Sequence, residues 1–419
     1  MRTAIAVFCA VAVFFSLDGS TLSGDALAEK ARTGDADSQY RLAIEYFFGR
    51  SRTVNPVLAV YWFRRAADAG HPEAQYNLAR CYERGWGARR SMGMAVKYYS
   101  LAKEQKILPA VLRYAELLYA GVPPEKSEYG EFKALKSDRN AALQLMRAAA
   151  KTSDAGKLVL VKHLFHDAPQ HGAELRMRLK NHVALPNAHP EMLLLYSSCL
   201  RSGIGGEVDL VEGTAVLKRA ADAGNMEAVA QLAEVMELGI GVKYDPVKAF
   251  ELTRTAAQKG NPRALLNLGN AFLAGMNVEY SPETAVKYIK QAADTGYPPA
   301  LCKLGDCYAR GVGVGQNWTE AIELYRAAAE AGNEDAHCIL GDCYDTGSGV
   351  QRNETQAFYH YSMAAERGSI KAIRKMGIFL LDGRGVRKDA VRGIELLKKA
   401  AQAGDQTAQY ILGKRQRPL

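Results

Sequence analysis

From Gly224 onward, glycines recur at 260, 296, 332, 368 and 404, a constant step of 36 residues, and Gly34 and Gly70 keep the same step near the other end. A fixed period of this size marks supersecondary units that cannot bury an apolar face alone and must stack on their neighbours. It rules out reading the 419-residue chain as one compact core. Most of these glycines close an Ala-Ala-x-x-Gly run, as at Ala66 to Gly70, Ala292 to Gly296 and Ala364 to Gly368. Counting by this punctuation gives about ten units between residues 35 and 404, then a capping half-repeat from 405.

Within each unit the columns predict two helices. In the first, an apolar column (Leu42, Leu78, Leu232, Leu268, Leu304, Leu340) is followed at once by a small one (Ala43, Ala79, Ala233, Gly269, Gly305, Gly341). Three residues further on stands a large residue such as Tyr82, Phe272, Tyr308 or Tyr344. That i, i+4 pairing puts the large residues on one helical face. Glycine costs roughly 1 kcal/mol against alanine inside a helix, so its recurrence in the small column points to close packing. A Gly-x-Gly-Val turn follows, as at Gly311, Gly313 and Val314, and suits a helix C-terminus. The second helix starts at a column reading Asn55, Ser91, Asp138, Asp209, Asp245, Ser281, Asn317, Asn353 and Asp389. Every one is a preferred N-cap, and Pro56, Pro246 and Pro282 follow at the first-turn position where proline is tolerated.

The pattern Ala300…Leu304-Gly305…Tyr308…Gly311…Gly313-Val314…Ala321…Tyr325…Ala328-Ala329…Gly332 resembles a Sel-1-like repeat, a relative of the tetratricopeptide repeat. The resemblance covers nearly all of the chain after its first residues. It implies an all-α fold: a right-handed α-α superhelical solenoid of about ten helix pairs with a C-terminal capping helix. It also implies that the first helix of each pair lines a concave groove that holds a protein or peptide partner. By analogy with tetratricopeptide repeats, the exposed groove residues are Tyr76, Asn77, Arg80, Asn267, Asn270, Lys303 and Asp306. Asparagine amides can bond a peptide backbone there, Arg and Lys can hold a carboxylate, and tyrosine adds rigid apolar area.

The chain departs from the pattern between 107 and 188. The third unit carries extra residues around Val122-Pro123-Pro124, and the fourth has lost both the Gly-x-Gly-Val turn and the Ala-Ala-x-x-Gly run. The expected organisation is therefore an export segment at 1–28, regular repeats at 29–106, degenerate repeats with a loop insertion at 107–188, and regular repeats with a capping helix at 189–419.

Side chains capable of chemistry have readings inside the repeat. Cys81, Cys199, Cys307 and Cys343 share one column and Cys302 and Cys338 another, which suits cysteine as a small core residue. Cysteine-rich members of the family bridge neighbouring helices, but Ala293 and Ala329 stand where that partner would be. A bridge among Cys302, Cys307, Cys338 and Cys343 stays open. His163, His166, His171, His182 and His189 fall in or beside the fourth unit, and no carboxylate or cysteine completes a metal motif with them. Ser100 and Lys103 match the Ser-x-x-Lys of penicillin-recognising enzymes, but they lie late in a second helix, where that chemistry has no cleft. Asn317 and Asn353 open glycosylation sequons, yet both belong to the cap column. No cofactor, metal or catalytic constellation is expected, and the chain does not read as an enzyme.

The N-terminus reads as an export signal: Arg2, then an apolar run from Ala4 to Leu17, then a small-x-small site at Ala26-Leu27-Ala28. Cleavage there starts the mature chain near Glu29, and cleavage after Ser23 is the alternative. The apolar run is too short to span a bilayer comfortably, so the processed chain is not expected to cross a membrane. The formal charge of +9 favours acidic partners, anionic polysaccharide or lipid surfaces, but the basic residues are scattered and nucleic acid is not expected. The sequence thus points to a periplasmic or secreted scaffold of a bacterial envelope that binds protein or peptide partners. The alternative is a peptidoglycan- or polysaccharide-associated factor with weak hydrolase activity.

Overall fold

The computed structural model describes residues 24–49, 51–185 and 187–415. Most of residues 1–28, expected as an export segment, and the last four residues lie outside that range. The chain divides into two compact units, Met1–Arg178 and Leu179–Leu419. The first contains α1 (Gly24–Arg32), α2 (Ala36–Phe48), α3 (Pro56–Asp68), α4 (Pro72–Arg84), α5 (Met92–Glu104) and α6 (Leu108–Ala120). A short hairpin, β1 (Glu125–Ser127) and β2 (Gly130–Phe132), then leads to α7 (Arg139–Ala150) and α8 (Asp154–His166). The division between units falls within α9 (Ala168–Val183). The second unit continues with α10 (Pro190–Ser202), α11 (Leu210–Asp222), α12 (Met226–Leu238), α13 (Pro246–Gln258), α14 (Pro262–Ala274) and α15 (Pro282–Ala293). Then come α16 (Pro298–Arg310), α17 (Trp318–Glu330), α18 (Glu334–Thr346), α19 (Glu354–Glu366), α20 (Ile370–Asp382), α21 (Ala390–Gln402) and α22 (Gln406–Arg415). From α2 to α8 and from α10 to α22, each helix packs on the next in sequence, which makes an all-α solenoid of helix pairs.

The caps form where the columns place them. Asn55, Ser91, Asp138, Asp209, Asp245, Ser281, Asn317, Asn353 and Asp389 each accept a hydrogen bond from a backbone N–H in the first turn of the second helix. The small column is also explained. Gly305 lies under the ring of Tyr325 and Gly341 under that of Tyr361, where a Cβ would stand 2.6 Å and 2.5 Å from the nearest ring carbon. Where the small residue is Ala79 or Ala43, it is fully buried together with the counterpart ring of Tyr99 or Phe63. The two positions therefore set how closely the helices of one pair approach.

The insertion, expected as a loop, forms an antiparallel hairpin with Glu125 paired to Phe132 and Ser127 to Gly130. It folds back onto α5. The Gly93 N–H donates to Glu125 Oε2 at 3.1 Å, placing a carboxylate at a helix N-terminus. Phe132 fills the space that a side chain at Gly93 would take, and the Tyr129 ring meets Tyr82 edge-on at 5.2 Å. The fourth unit keeps two helices, α8 and α9, and Arg147 on α7 holds Glu174 on α9 at 2.8 Å.

All six described cysteines are free and buried, with no bridge among Cys302, Cys307, Cys338 and Cys343. Burial pushes the Cys81 and Cys302 thiols up to about 12, so they behave as core residues.

Candidate binding face on the first helices

In a thirteen-residue first helix such as α16, the second, sixth and ninth residues share one face, since they are four and three residues apart. In the second unit this face is Glu227, Gln231 and Glu234 on α12, and Arg263, Asn267 and Asn270 on α14. It continues with Pro299, Lys303 and Asp306 on α16, Asp335, Ile339 and Asp342 on α18, and Lys371 and Lys375 on α20.

Side chains on this face reach across from one repeat to the next. Arg263 Nε lies 2.7 Å from Glu227 Oε1, and Asn267 Nδ2 donates to Glu234 Oε1 at 2.8 Å. Lys371 and Lys375 meet Asp342 at 2.8 Å and 3.0 Å. Burial would raise the Asp342 carboxyl, but hydrogen bonds from Lys371, Tyr361 and Lys375 outweigh it and hold the group below its usual range. Glu227 follows the same logic, with Gln231, Asn261 and Arg263 overcoming its burial.

Between these two ladders the face opens. A shallow cleft of about 280 Å³ is walled by Lys303, Asp306, Asp335 and Lys371 and floored by Ile339 and the buried Cys302 and Cys338. Asp306 accepts a 2.8 Å hydrogen bond from the Tyr325 hydroxyl, which fixes one wall. Lys303 and Asp335 form no ion pair among the described residues. The cleft thus presents an ammonium and a carboxylate beside an apolar floor, drawn from the first helices of neighbouring repeats, a combination suited to an extended peptide carrying polar and apolar groups.

Of the seven residues expected to line the groove, Lys303 and Asp306 are in this cleft. Asn267 is half-buried on Glu234, and Asn270 is half-buried with its Oδ1 enclosed and unbonded. Tyr76, Asn77 and Arg80 belong to the first unit. The expectation that all seven are exposed needs correcting there: Asn77 and Arg80 are buried. Aromatic neighbours cover them. Asn77 Nδ2 donates to Tyr40 Oη at 3.4 Å, and the Arg80 guanidinium lies 5.6 Å from the centre of the half-buried Tyr76 ring. Asp335, Ile339 and Lys371 were missed, although the 36-residue step carries Pro299 to Asp335 and Lys371, and Lys303 to Ile339.

Of the histidines in and beside the fourth unit, His163, His182 and His189 bond backbone groups. His189 caps α10, and its own N–H donates to His182 Nε2 at 3.0 Å. His163 Nδ1 lies 2.9 Å from the Val159 carbonyl oxygen. Two imidazole rings meet elsewhere, with His337 Nδ1 and His360 Nδ1 3.2 Å apart between α18 and α19. Burial, His337 and Arg326 hold His360 down at about 4, and burial with Arg367 also lowers His337. Both folded values lie below the unfolded value near 6.5, so the neutral pair contributes full stability above that pH and loses it as pH falls toward 4. After allowing for partial solvent screening, the loss is about 1–2 kcal/mol. His360→Gln is expected to flatten the denaturation midpoint between pH 4 and 7, and an unchanged pH profile would contradict this.

The Sel1 repeat family profile matches residues 36–71, 72–106, 113–152, 227–261, 262–297, 298–333, 334–369 and 370–405. The chain belongs to the Sel1 repeat family. The matches number eight, and the stretch counted above as the fourth and fifth units lies outside them. The chain is 25% identical to a protective antigen of uropathogenic Escherichia coli with this fold, at a TM-score of 0.50, covering 94% of this chain and 82% of that one. It is also 25% identical to a Sel1 repeat protein from Oxalobacter formigenes, at a TM-score of 0.50, covering 59% and 99%. Among curated proteins it is 28% identical over 204 residues to the uncharacterized protein NMB1327 of Neisseria meningitidis, covering 48% of this chain and 40% of that protein. It is 30% identical over 156 residues to the mouse DAP3-binding cell death enhancer 1, covering 36% and 30%. The chain therefore spans under half the length of these two curated relatives. Sel1 repeats serve generally as protein-interaction scaffolds and not as catalysts, and no described helix is long and apolar enough to cross a membrane.

Proposed function

We propose that this chain is an exported scaffold that holds an extended segment of another protein against the first-helix face of the second unit. The observation that carries this reading is the cleft between α16, α18 and α20, where Lys303 and Asp335 stand beside the apolar floor at Ile339. A groove built from side chains that already bond one another along its length is pre-organised, so little ordering cost opposes binding. Envelope proteins captured on the purified chain are expected to be lost with the double variant Ile339→Asp/Lys303→Glu and kept with the outer-surface variant Tyr359→Ser. Retention by soluble peptidoglycan fragments, with no protein retained, would overturn this reading in favour of a glycan-associated factor.

Export to the periplasm or beyond rests on the N-terminal apolar run. Cleavage after Ser23 is the better-supported position. Leu27 and Ala31 on α1 are buried, Leu27 packs with Leu42, and Gln39 Nε2 donates to the Ala31 carbonyl oxygen at 3.0 Å. Cutting after Ala28 would remove half of α1 and uncover Leu42. The exported protein is expected to begin at Gly24 by intact-mass measurement, and a start at Glu29 would refute that position.

A further inference from the structure

A second surface stands at the edge where first helices end and second helices begin. In the three repeats spanning α10 to α15 this edge exposes large apolar side chains: Val211 (70%), Leu238 (69%), Val247 (65%), Tyr244 (62%), Tyr280 (61%) and Val208 (57%). The surface continues from repeat to repeat. Each turn packs on the start of the preceding second helix, as where Thr214 Oγ1 donates to the Ile240 carbonyl oxygen at 3.1 Å and Gly241 presses on the Leu210 carbonyl. Between α13 and the next turn, Val247, Phe250, Glu251, Arg254 and Asn277 border a hollow of about 260 Å³.

The fold does not require this apolarity. One period on, the column of Val208, Tyr244 and Tyr280 reads Gln316, Arg352 and Lys388 in the three following repeats, on the same backbone. Leu238 is matched by Arg310, Thr346 and Asp382. Val391 is also exposed, but Arg387, Lys388 and Arg392 surround it in sequence. A contiguous exposed apolar strip that packing does not explain marks an interaction site.

The charge beside the strip selects its occupant. Glu207, Glu212, Glu237 and Glu279 are the immediate chain neighbours of Val208, Val211, Leu238 and Tyr280, Glu251 borders the hollow, and the cations Lys243, Lys248 and Arg254 all belong to the central repeat. In a chain of net charge +9, this edge is bordered mainly by carboxylates. Anionic lipid would be repelled. A second copy related by a two-fold axis would set the carboxylates of the first repeat of the strip against those of the third. We infer that the strip docks a cationic amphipathic segment of another protein, with its apolar side chains on the valines and tyrosines and its lysines or arginines on the flanking glutamates. The chain would then carry two partners, one on each surface.

The test uses labelled synthetic amphipathic peptides built from leucine and lysine or from leucine and glutamate, with fluorescence anisotropy on the full chain. The leucine–lysine peptide is expected to bind and the leucine–glutamate peptide not. The triple variant Val211→Ser/Tyr244→Ser/Val247→Ser, at exposed positions and checked by its unfolding curve, is expected to weaken binding about tenfold or more. The charge-reversal variant Glu212→Lys/Glu237→Lys/Glu279→Lys should shift preference toward the leucine–glutamate peptide. Ile339→Asp should bind like wild type, which separates this surface from the first-helix face. Equal binding by the triple variant, or equal affinity of wild type for both peptides, would overturn the proposal. So would a dimer that the triple variant dissolves, which would make a second copy the occupant, or binding to phosphatidylglycerol vesicles that the same variant abolishes.

Discussion

Gly313→Ala is expected to destabilise the second unit by about 3–4 kcal/mol, several times more than the same change at Gly311 two residues earlier. Both glycines have left-handed backbone, at φ +69 and +68, so both substitutions carry a strain of about 1 kcal/mol. The difference lies in what a methyl group meets. At Gly311 the nearest atoms are Gln316 Cβ and Gln316 N at 3.4 Å, an ordinary van der Waals contact. At Gly313 the new Cβ would stand 2.2 Å from the Pro282 carbonyl oxygen and 2.9 Å from Val286 Cγ2, against the rigid start of α15 in the preceding repeat. Backbone cannot rotate aside as a side chain can, so the two repeats must separate. Urea unfolding midpoints of the two variants, with hydrogen exchange across Pro282–Ala293, measure this. Equal midpoints would mean that the turn does not bear on the preceding helix.

Tyr361→Ala should cost about 3–5 kcal/mol, and Tyr361→Phe about 1–2 kcal/mol. The ring is fully buried, lies against Gly341, and meets the Phe379 ring edge-on at 5.4 Å. Truncation to alanine leaves a cavity that the small Gly341 cannot fill. The phenylalanine variant keeps the packing and deletes only the 2.7 Å hydrogen bond to Asp342 Oδ1. Asp342 also holds Lys371 and Lys375, so that smaller change should loosen one wall of the cleft. A binding loss for Tyr361→Phe larger than its stability loss would tie the core hydrogen bond to the recognition face. Destabilisation by alanine no greater than by phenylalanine would show that the ring does not fill the space under Gly341.

The legible part of the fold was the part that repeats. Second-helix caps, the small column and the glycine turn each follow from backbone demands that recur every 36 residues, so register alone locates them. The hairpin was not legible, because its paired strands are three residues long and carry no apolar alternation over Glu125–Ser127 and Gly130–Phe132. The candidate site was half legible. Lys303 and Asp306 were found because they sit on an outward face, whereas Asn77 and Arg80 occupy equivalent positions that tyrosines of their own unit cover. Exposure at a repeat position depends on the neighbours in the same and adjacent repeats, and a column read one repeat at a time does not contain that information. The apolar edge from Val208 to Tyr280 is not legible for the converse reason, since its residue types alone look like core although the side chains are exposed.

Site-specific photo-crosslinking from position 339 in the full chain, expressed in its native cell, tests the binding face most directly. A benzophenone side chain replacing Ile339 should form an adduct with a protein partner. That adduct should vanish when Lys303→Glu is added, and should not form from the exposed position 359 on the other helix layer. The same protein adduct from both positions, or adducts at 339 with glycan alone, would contradict a scaffold that works through its first-helix face.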